Sequence, residues 1–192
     1  MMDNQRETIR AFVALDLDST SLRRVARVAD RLRMGSGAPS ATWVAPAAMH
    51  VTLKFMGELP IDAAAPVAHA LQALVGGKAA PQACPFRLTA FPKVEEAHVV
   101  IAELQDTRGE LTKLAKEVAE VTRKLGIEGE ERTFTPHVTL ARLKRSYDAR
   151  RWLRVELAEG AGECRAASLT LYRSELGSGG ATHVPLARFL FS

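Results

Sequence analysis

The sequence predicts an α+β fold in which two pseudo-symmetric lobes make one domain over residues 1–192. Three observations predict it. The tetrapeptide HVTL occurs twice, at His50–Leu53 and His137–Leu140, 87 residues apart in a chain with only five histidines. Each half presents a strand-like segment, a helix-like segment and an HVTL segment in that order. No stretch rich in Gly or Pro separates the halves into independent domains.

Ile9–Leu17 (IRAFVALDL) reads as a buried strand, and Asp18 or Ser19 can cap the helix after it. Leu22, Val25, Ala26, Ala29 and Leu32 recur at helical spacing until Gly35 stops the run. The segment Gly35–Ser40 reads as a loop. The first HVTL strand is expected over Met49–Gly57, and a helix over Ala64–Val75 ended by Gly76-Gly77. Strands are expected at Phe86–Phe91 and His98–Leu104. Leu111, Leu114, Ala115, Val118, Val121 and Leu125 then form the apolar stripe of a helix that Gly126 ends. The second HVTL strand is expected over His137–Arg142, and a shorter helix over Asp148–Ala158. Two closing strands fit Ala167–Leu176 and His183–Phe191, joined by a turn at Gly177–Gly180.

Composition narrows the class. With 47% hydrophobic and 25% charged residues the chain is an ordinary globular protein of 20.9 kDa. Twenty-six basic against 22 acidic residues give +4 and a pI near 9.3, a mild excess that suits a polyanionic partner without demanding one. Arg142, Lys144, Arg145, Arg150, Arg151 and Arg154 cluster after the second HVTL. Arg23, Arg24, Arg27, Arg31 and Arg33 fit a solvated helix face at least as well as a nucleic-acid surface. Cys84 and Cys164 lie in no metal-binding spacing and call for no disulfide. The N-terminus is too short and too charged for a secretory signal, so the expected location is cytoplasmic, with no membrane partner.

Side chains alternate across a strand, so His and Thr of HVTL share one face while Val and Leu share the other. Val51, Leu53, Val138 and Leu140 would pack under helices. His50, Thr52, His137 and Thr139 would face away from the core and, if the lobes face each other, converge in one cleft. Imidazole titrates near neutrality, so one ring can take a proton while the other gives one. Hydroxyls donate to phosphate oxygens, and a positive surrounding stabilises charge developing on them. This set points to phosphodiester cleavage that calls for no cofactor and no metal. Two histidines alone leave a zinc site short of ligands. A single HVTL would be an ordinary strand; its repetition at matching positions argues for a site.

With these residues in place the chain resembles the 2H phosphoesterase superfamily, and within it the RNA 2′,3′-cyclic phosphodiesterases, also known as 2′-5′ RNA ligases. The resemblance rests on RAFVALDL at Arg10–Leu17, WVAPAAMHVTLKFMGEL at Trp43–Leu59, RTFTPHVTLARLK at Arg132–Lys144 and LYRSELGSGGATHVPLARF at Leu171–Phe189. It implies a bilobal fold, each lobe an antiparallel sheet with outer helices, and a central cleft between pseudo-twofold halves. It also implies metal-independent opening of an RNA 2′,3′-cyclic phosphate to a 2′-phosphomonoester. By motif position His50 would be the proton donor to the leaving 3′ oxygen and His137 the proton acceptor from water. Near-symmetry permits the roles to be exchanged, as reversible 2′-5′ ligation with a 5′-hydroxyl in place of water requires. Thr52 and Thr139 would hold phosphate oxygens. Arg142 would add a phosphate contact, although its offset of five from His137 puts it on the wrong strand face unless the strand ends or bulges first. The implied partner is RNA with a cyclic phosphate end, tRNA fragments included, acted on by a monomer.

Phe55 and Phe134 either flank the cleft, where a base could stack on them, or pack in the core. His98 and Ile101 stand where the family usually carries Arg and Trp, Glu103 where Gly is common, and His183 where an aromatic residue is frequent. His69 and His98 have no motif around them and read as structural or surface residues. Two other functions fit the same residues: a non-catalytic RNA-binding module, and an esterase of small cyclic nucleotides or cyclic ADP-ribose phosphate. Matched titratable groups argue against a pure binder, and the basic tract after Arg142 leans toward RNA.

Overall fold

The structure is a computed structural model that describes residues 7–35, 39–129, 133–154, 162–177 and 180–192. Among these residues eight strands and three helices follow one another. They are β1 (Thr8–Leu17), α1 (Ser19–Met34), β2 (Ala41–Trp43), β3 (His50–Pro60), α2 (Ala64–Val75), β4 (Gln82–Phe91), β5 (Ala97–Gln105), α3 (Glu110–Lys124), β6 (His137–Tyr147), β7 (Cys164–Gly177) and β8 (Gly180–Leu190).

All strand pairs are antiparallel, as short connections and strand–helix–strand units on one side of each sheet allow. β3, β1, β7 and β8 make the sheet of one lobe, and β2, β6, β5 and β4 that of the other. Among the described residues only Gln82↔Arg165 and Ala83↔Cys164, between β4 and β7, join them. The unit β1–α1–β3 of the first lobe repeats as β5–α3–β6 in the second. β3 and β6 stand near opposite ends of the strand order, yet they lie against one another, so the continuous sheet folds back on itself around a cleft.

Alternation sorts β1 between two apolar clusters. Ala11, Val13 and Leu15 enter the main core with Val51, Leu53, Val138 and Leu140, while Phe12 and Ala14 join Tyr172 in a small cluster under the cleft. The helices cover the other faces. α1 packs on β6 and β7, α3 packs on β3 and β4, and α2 packs on α3. Asp18 caps α1 by accepting the Ser21 N–H at 2.7 Å.

Several expected details are corrected. The buried side of α1 is Ser21, Val25, Val28, Ala29 and Leu32, so Leu22 and Ala26 lie only at its margin. In α3 the stripe ends on Thr122, whose hydroxyl donates to the Val118 carbonyl at 3.0 Å, and Leu125 is exposed beyond it. Over Asp148–Arg154 the chain makes a turn rather than the expected helix, while Val155–Ala158 lie outside the described residues. Asp148 accepts both the backbone N–H and the guanidinium of Arg150, which holds the chain in a turn. The Trp152 indole donates to the Leu32 carbonyl at 3.0 Å, tying that turn to the end of α1. Part of the expected Gly35–Ser40 loop and of the Gly177–Gly180 turn also falls outside the described residues. The strand β2 was not expected, because three residues carry too little pattern to read.

Candidate active site

Cross-strand pairing in the two lobes builds the same rows. His50 lies opposite Asp16, which lies opposite Ser168; His137 lies opposite Glu103, whose carboxylate takes the Arg87 guanidinium at 2.7 Å. One step along, Thr52–Ala14–Thr170 matches Thr139–Ile101–Thr89. In the third row Phe55–Phe12–Tyr172 matches Arg142–Val99–Phe91.

The third row exists because both HVTL strands bulge at their leucine. Val13 pairs with Lys54 and Ala14 with Thr52, leaving Leu53 unpaired; Val100 pairs with Ala141 and Ile101 with Thr139, leaving Leu140 unpaired. A bulge inserts one residue and reverses the alternation after it. Position +5 from each histidine therefore returns to the cleft face. That settles the offset of Arg142, which is exposed there and has no hydrogen bond or ion pair among the described residues. Its mate Phe55 is 47% exposed and so is not core packing. Phe134 instead is half-buried against the core, and the ring beside His137 is Phe91, with centroids 5.2 Å apart. Gly129 (φ +66°) passes over β3 so closely that a Cβ there would strike the Phe55 carbonyl.

Both imidazoles are oriented alike. Nδ1 of His50 donates to the Ala48 carbonyl at 2.8 Å, and Nδ1 of His137 to the Thr135 carbonyl at 2.7 Å. A carbonyl only accepts, so the proton sits on Nδ1 and each Nε2 is left for chemistry. Burial holds both rings below the usual histidine range. His50 is pushed down to about 4 by burial first and then by His183 and His137, against the raising effects of the Ala48 carbonyl and Asp16. For His137 the Thr135 carbonyl and Glu103 oppose burial, and Arg142 adds to it. His137 of β6 thus acts on His50 of β3 across the cleft, and Arg142 acts on His137 along the same strand.

Asp16 is held by four donors: Ser168 Oγ at 2.8 Å, Thr170 Oγ1 at 2.7 Å, Tyr172 OH at 2.6 Å and Arg188 Nε at 3.1 Å. Desolvation and the Asp16 carboxylate push the Tyr172 phenol up to about 12, so it stays a donor. Removing the Asp16 charge in Asp16→Asn should lower the proton affinity of His50 further. A histidine NMR titration checks this, with the His50 midpoint moving to lower pH.

The rows unite the sequence-predicted His50, Thr52, His137, Thr139, Arg142 and Phe55. Sequence reasoning missed Phe12, Asp16, Phe91 and Tyr172 as site residues, and left His183 and Glu103 only as departures. Ile101 is fully buried beside Thr139, its cross-strand partner, and His98 and His69 are exposed. The signal for Phe12 and Asp16 was their alternation with Val13 and Leu15, which a uniformly apolar reading of β1 hid. Among the described residues no three His, Cys, Asp or Glu side chains group as metal ligands. No helix among them is long and apolar enough to cross a membrane. A cavity of about 420 Å³ lies elsewhere, between α2 and the sheet of β7 and β8, and includes none of these rows.

A bilobal antiparallel fold with one His-x-Thr strand per lobe is that of a 2H phosphoesterase. The family model of the 2′-5′ RNA ligase superfamily matches residues 21–178, and the chain belongs to that superfamily. It is 34% identical to an RNA 2′,3′-cyclic phosphodiesterase of Aquifex aeolicus (strain VF5) over 152 residues, 74% of each chain. It is 31% identical to a protein of the same description from Archaeoglobus fulgidus, over 71% of this chain and 74% of that one. The crystal structure of TT0787 of Thermus thermophilus superposes with a TM-score of 0.76 at 25% identity, covering 95% of this chain and 98% of that one.

Proposed function

We propose that this protein opens RNA 2′,3′-cyclic phosphate ends to 2′-phosphomonoesters by paired-histidine acid–base catalysis. The observation that carries the reading is the matched pair: two imidazoles fixed through Nδ1 on facing strands, each with Nε2 free of any protein partner among the described residues. The curated relatives' description as RNA 2′,3′-cyclic phosphodiesterases supports the substrate class.

Water attacks phosphorus and gives its proton to Nε2 of His137. The bond from phosphorus to the 3′ oxygen breaks, and Nε2–H of His50 protonates that oxygen, leaving a 3′-hydroxyl and a 2′-phosphate. Both rings are neutral near pH 7 in the free protein, so the productive complex is the one in which the phosphate anion has drawn one proton into the pair. A bell-shaped pH–rate profile follows. Thr52 and Thr139 donate to the non-bridging oxygens, and Arg142 stabilises the charge that grows on them. A 5′-hydroxyl of RNA in place of water forms a 2′-5′ linkage by the same step, and its reversal exchanges the roles of the rings.

Arg142→Ala should weaken substrate binding by roughly 10–100-fold, the worth of a hydrogen bond to a charged group. That loss should appear in kcat/KM and soften at high salt.

The testing experiment is hydrolysis of an oligoribonucleotide ending in 2′,3′-cyclic phosphate, in EDTA, with the product end identified. A 2′-phosphate product at undiminished rate is expected. Tight binding without turnover would favour an RNA-binding module instead, and turnover of small cyclic nucleotides alone would move the substrate class.

A further inference from the structure

The two catalytic strands match, but the surroundings of their histidines do not. His137 has one ring neighbour among the described residues, Phe91. His50 has three. Phe12 lies 5.2 Å from it at 30°, Tyr172 lies 5.8 Å away at 27°, and His183 of β8 stands edge-on at 5.4 Å and 80°. His183 also stands edge-on to Phe12 at 4.9 Å, so the two imidazoles share one aromatic base. Among the described residues nothing in the second lobe corresponds to this third histidine.

Nδ1 of His183 is buried and has no hydrogen-bond partner among the described residues. A proton there would be a buried donor with nothing to receive it, so the resting ring is neutral with its hydrogen on Nε2. Burial and the Arg142 guanidinium both disfavour its charged form. The remaining charged and titratable groups around the pair are Asp16 of β1 with its Arg188 partner on β8, Tyr172 of β7, and His137 and Arg142 of β6. Asp16 is the one carboxylate among them that favours a proton on His50.

We propose that His183 is a positioning residue for the reaction: set edge-on against His50 over the shared Phe12 ring, it decides the pH at which His50 can carry a proton. While His183 is neutral, His50 can accept the proton that a bound phosphate brings. Once falling pH charges His183, a second positive charge 5.4 Å away opposes protonation of His50. Asp16 on one side and His183 on the other thus pull the same ring in opposite directions. In the second lobe Glu103 takes the part of Asp16, and the opposing charge on His137 is the permanent cation of Arg142, with no third histidine that titrates beside it among the described residues, so the two histidines of one repeated motif titrate apart. The assignment rests on the reading of His50 as a proton carrier.

The test is an NMR titration of the histidine rings in His183→Phe, which keeps a ring, and in His183→Gln, which does not. In both variants the His50 midpoint should rise by about half a unit at the least, the worth of two charges at this separation even in water-like screening. The His137 midpoint, read in the same spectra, should hold. The limb of the pH–rate profile that His50 sets should rise by the same amount. Asp16→Asn moves the His50 midpoint the other way and serves as the opposite-sign control. A His50 midpoint unmoved or lowered in either variant overturns the proposal, as does an equal shift of both rings, which a structural disturbance would produce. If the unmodified protein fails to open a cyclic phosphate, the proposed function falls while the titration still decides whether His183 governs His50.

Discussion

His137→Ala and His50→Ala are each expected to slow cyclic-phosphate opening by about 10²–10⁴-fold, the usual worth of a general acid or base. The expectation follows from position rather than from the presence of histidine. Each ring is fixed by a bond to the carbonyl two residues before it, so Nε2 has one direction in which to act. Alanine removes that nitrogen and leaves Val51 or Val138 in the core, so fold and binding should survive while turnover falls. The double variant should cost little more than either single one, because groups that act as a unit are not additive. Rates under single-turnover conditions, with binding measured separately, check both points. Full activity in either single variant would remove that ring from the mechanism.

Leu140→Ala is expected to destabilise the protein by about 2–5 kcal/mol, the range for emptying a fully buried leucine site. Leu140 is fully buried, in the core that both lobes share. As the unpaired residue of the bulge it has no ladder partner of its own on β5, so packing fixes the local path of β6. Loss of that packing should loosen the turn of the strand that brings Arg142 to the cleft. Denaturant midpoints give the stability change, and substrate affinity should fall along with them. Leu53→Ala, at the matching bulge and 7% exposed, should follow the same pattern with a smaller loss. A Leu140→Ala protein with an unchanged midpoint would show that the site refills by collapse.

The placement of His50, Thr52, His137 and Thr139 on one face was legible because HVTL is short, repeated and strictly alternating. The helix over Ala64–Val75 was read to the residue, its end marked by Gly76-Gly77. Arg142 was named from the resemblance and not from geometry, for a bulge is a property of two strands in register and one strand's sequence does not display it. Asp16 was hidden differently. In IRAFVALDL both faces are apolar, one for the main core and one for the Phe12–Ala14–Tyr172 cluster, so no contrast of polar with apolar residues drew attention to the alternation that sets Asp16 on the face opposite Val13 and Leu15. The Asp148–Ala158 helix failed where Asp148 captured Arg150 and Trp152 reached Leu32, contacts that periodicity ignores. His183 gave the least warning, because its importance lies in 5.4 Å of space and 133 residues of sequence from His50.

The twin bulges have one more consequence. An operation that exchanges the lobes would carry Phe55 onto Arg142, a ring onto a cation. The cleft is symmetric in its reactive nitrogens and hydroxyls but polar along its length, with a face for an aromatic ring at one end and an anion-seeking head at the other. Under the proposed mechanism a molecule lying between the histidines would meet different ends in its two orientations, a direction that the repeated motif by itself does not set.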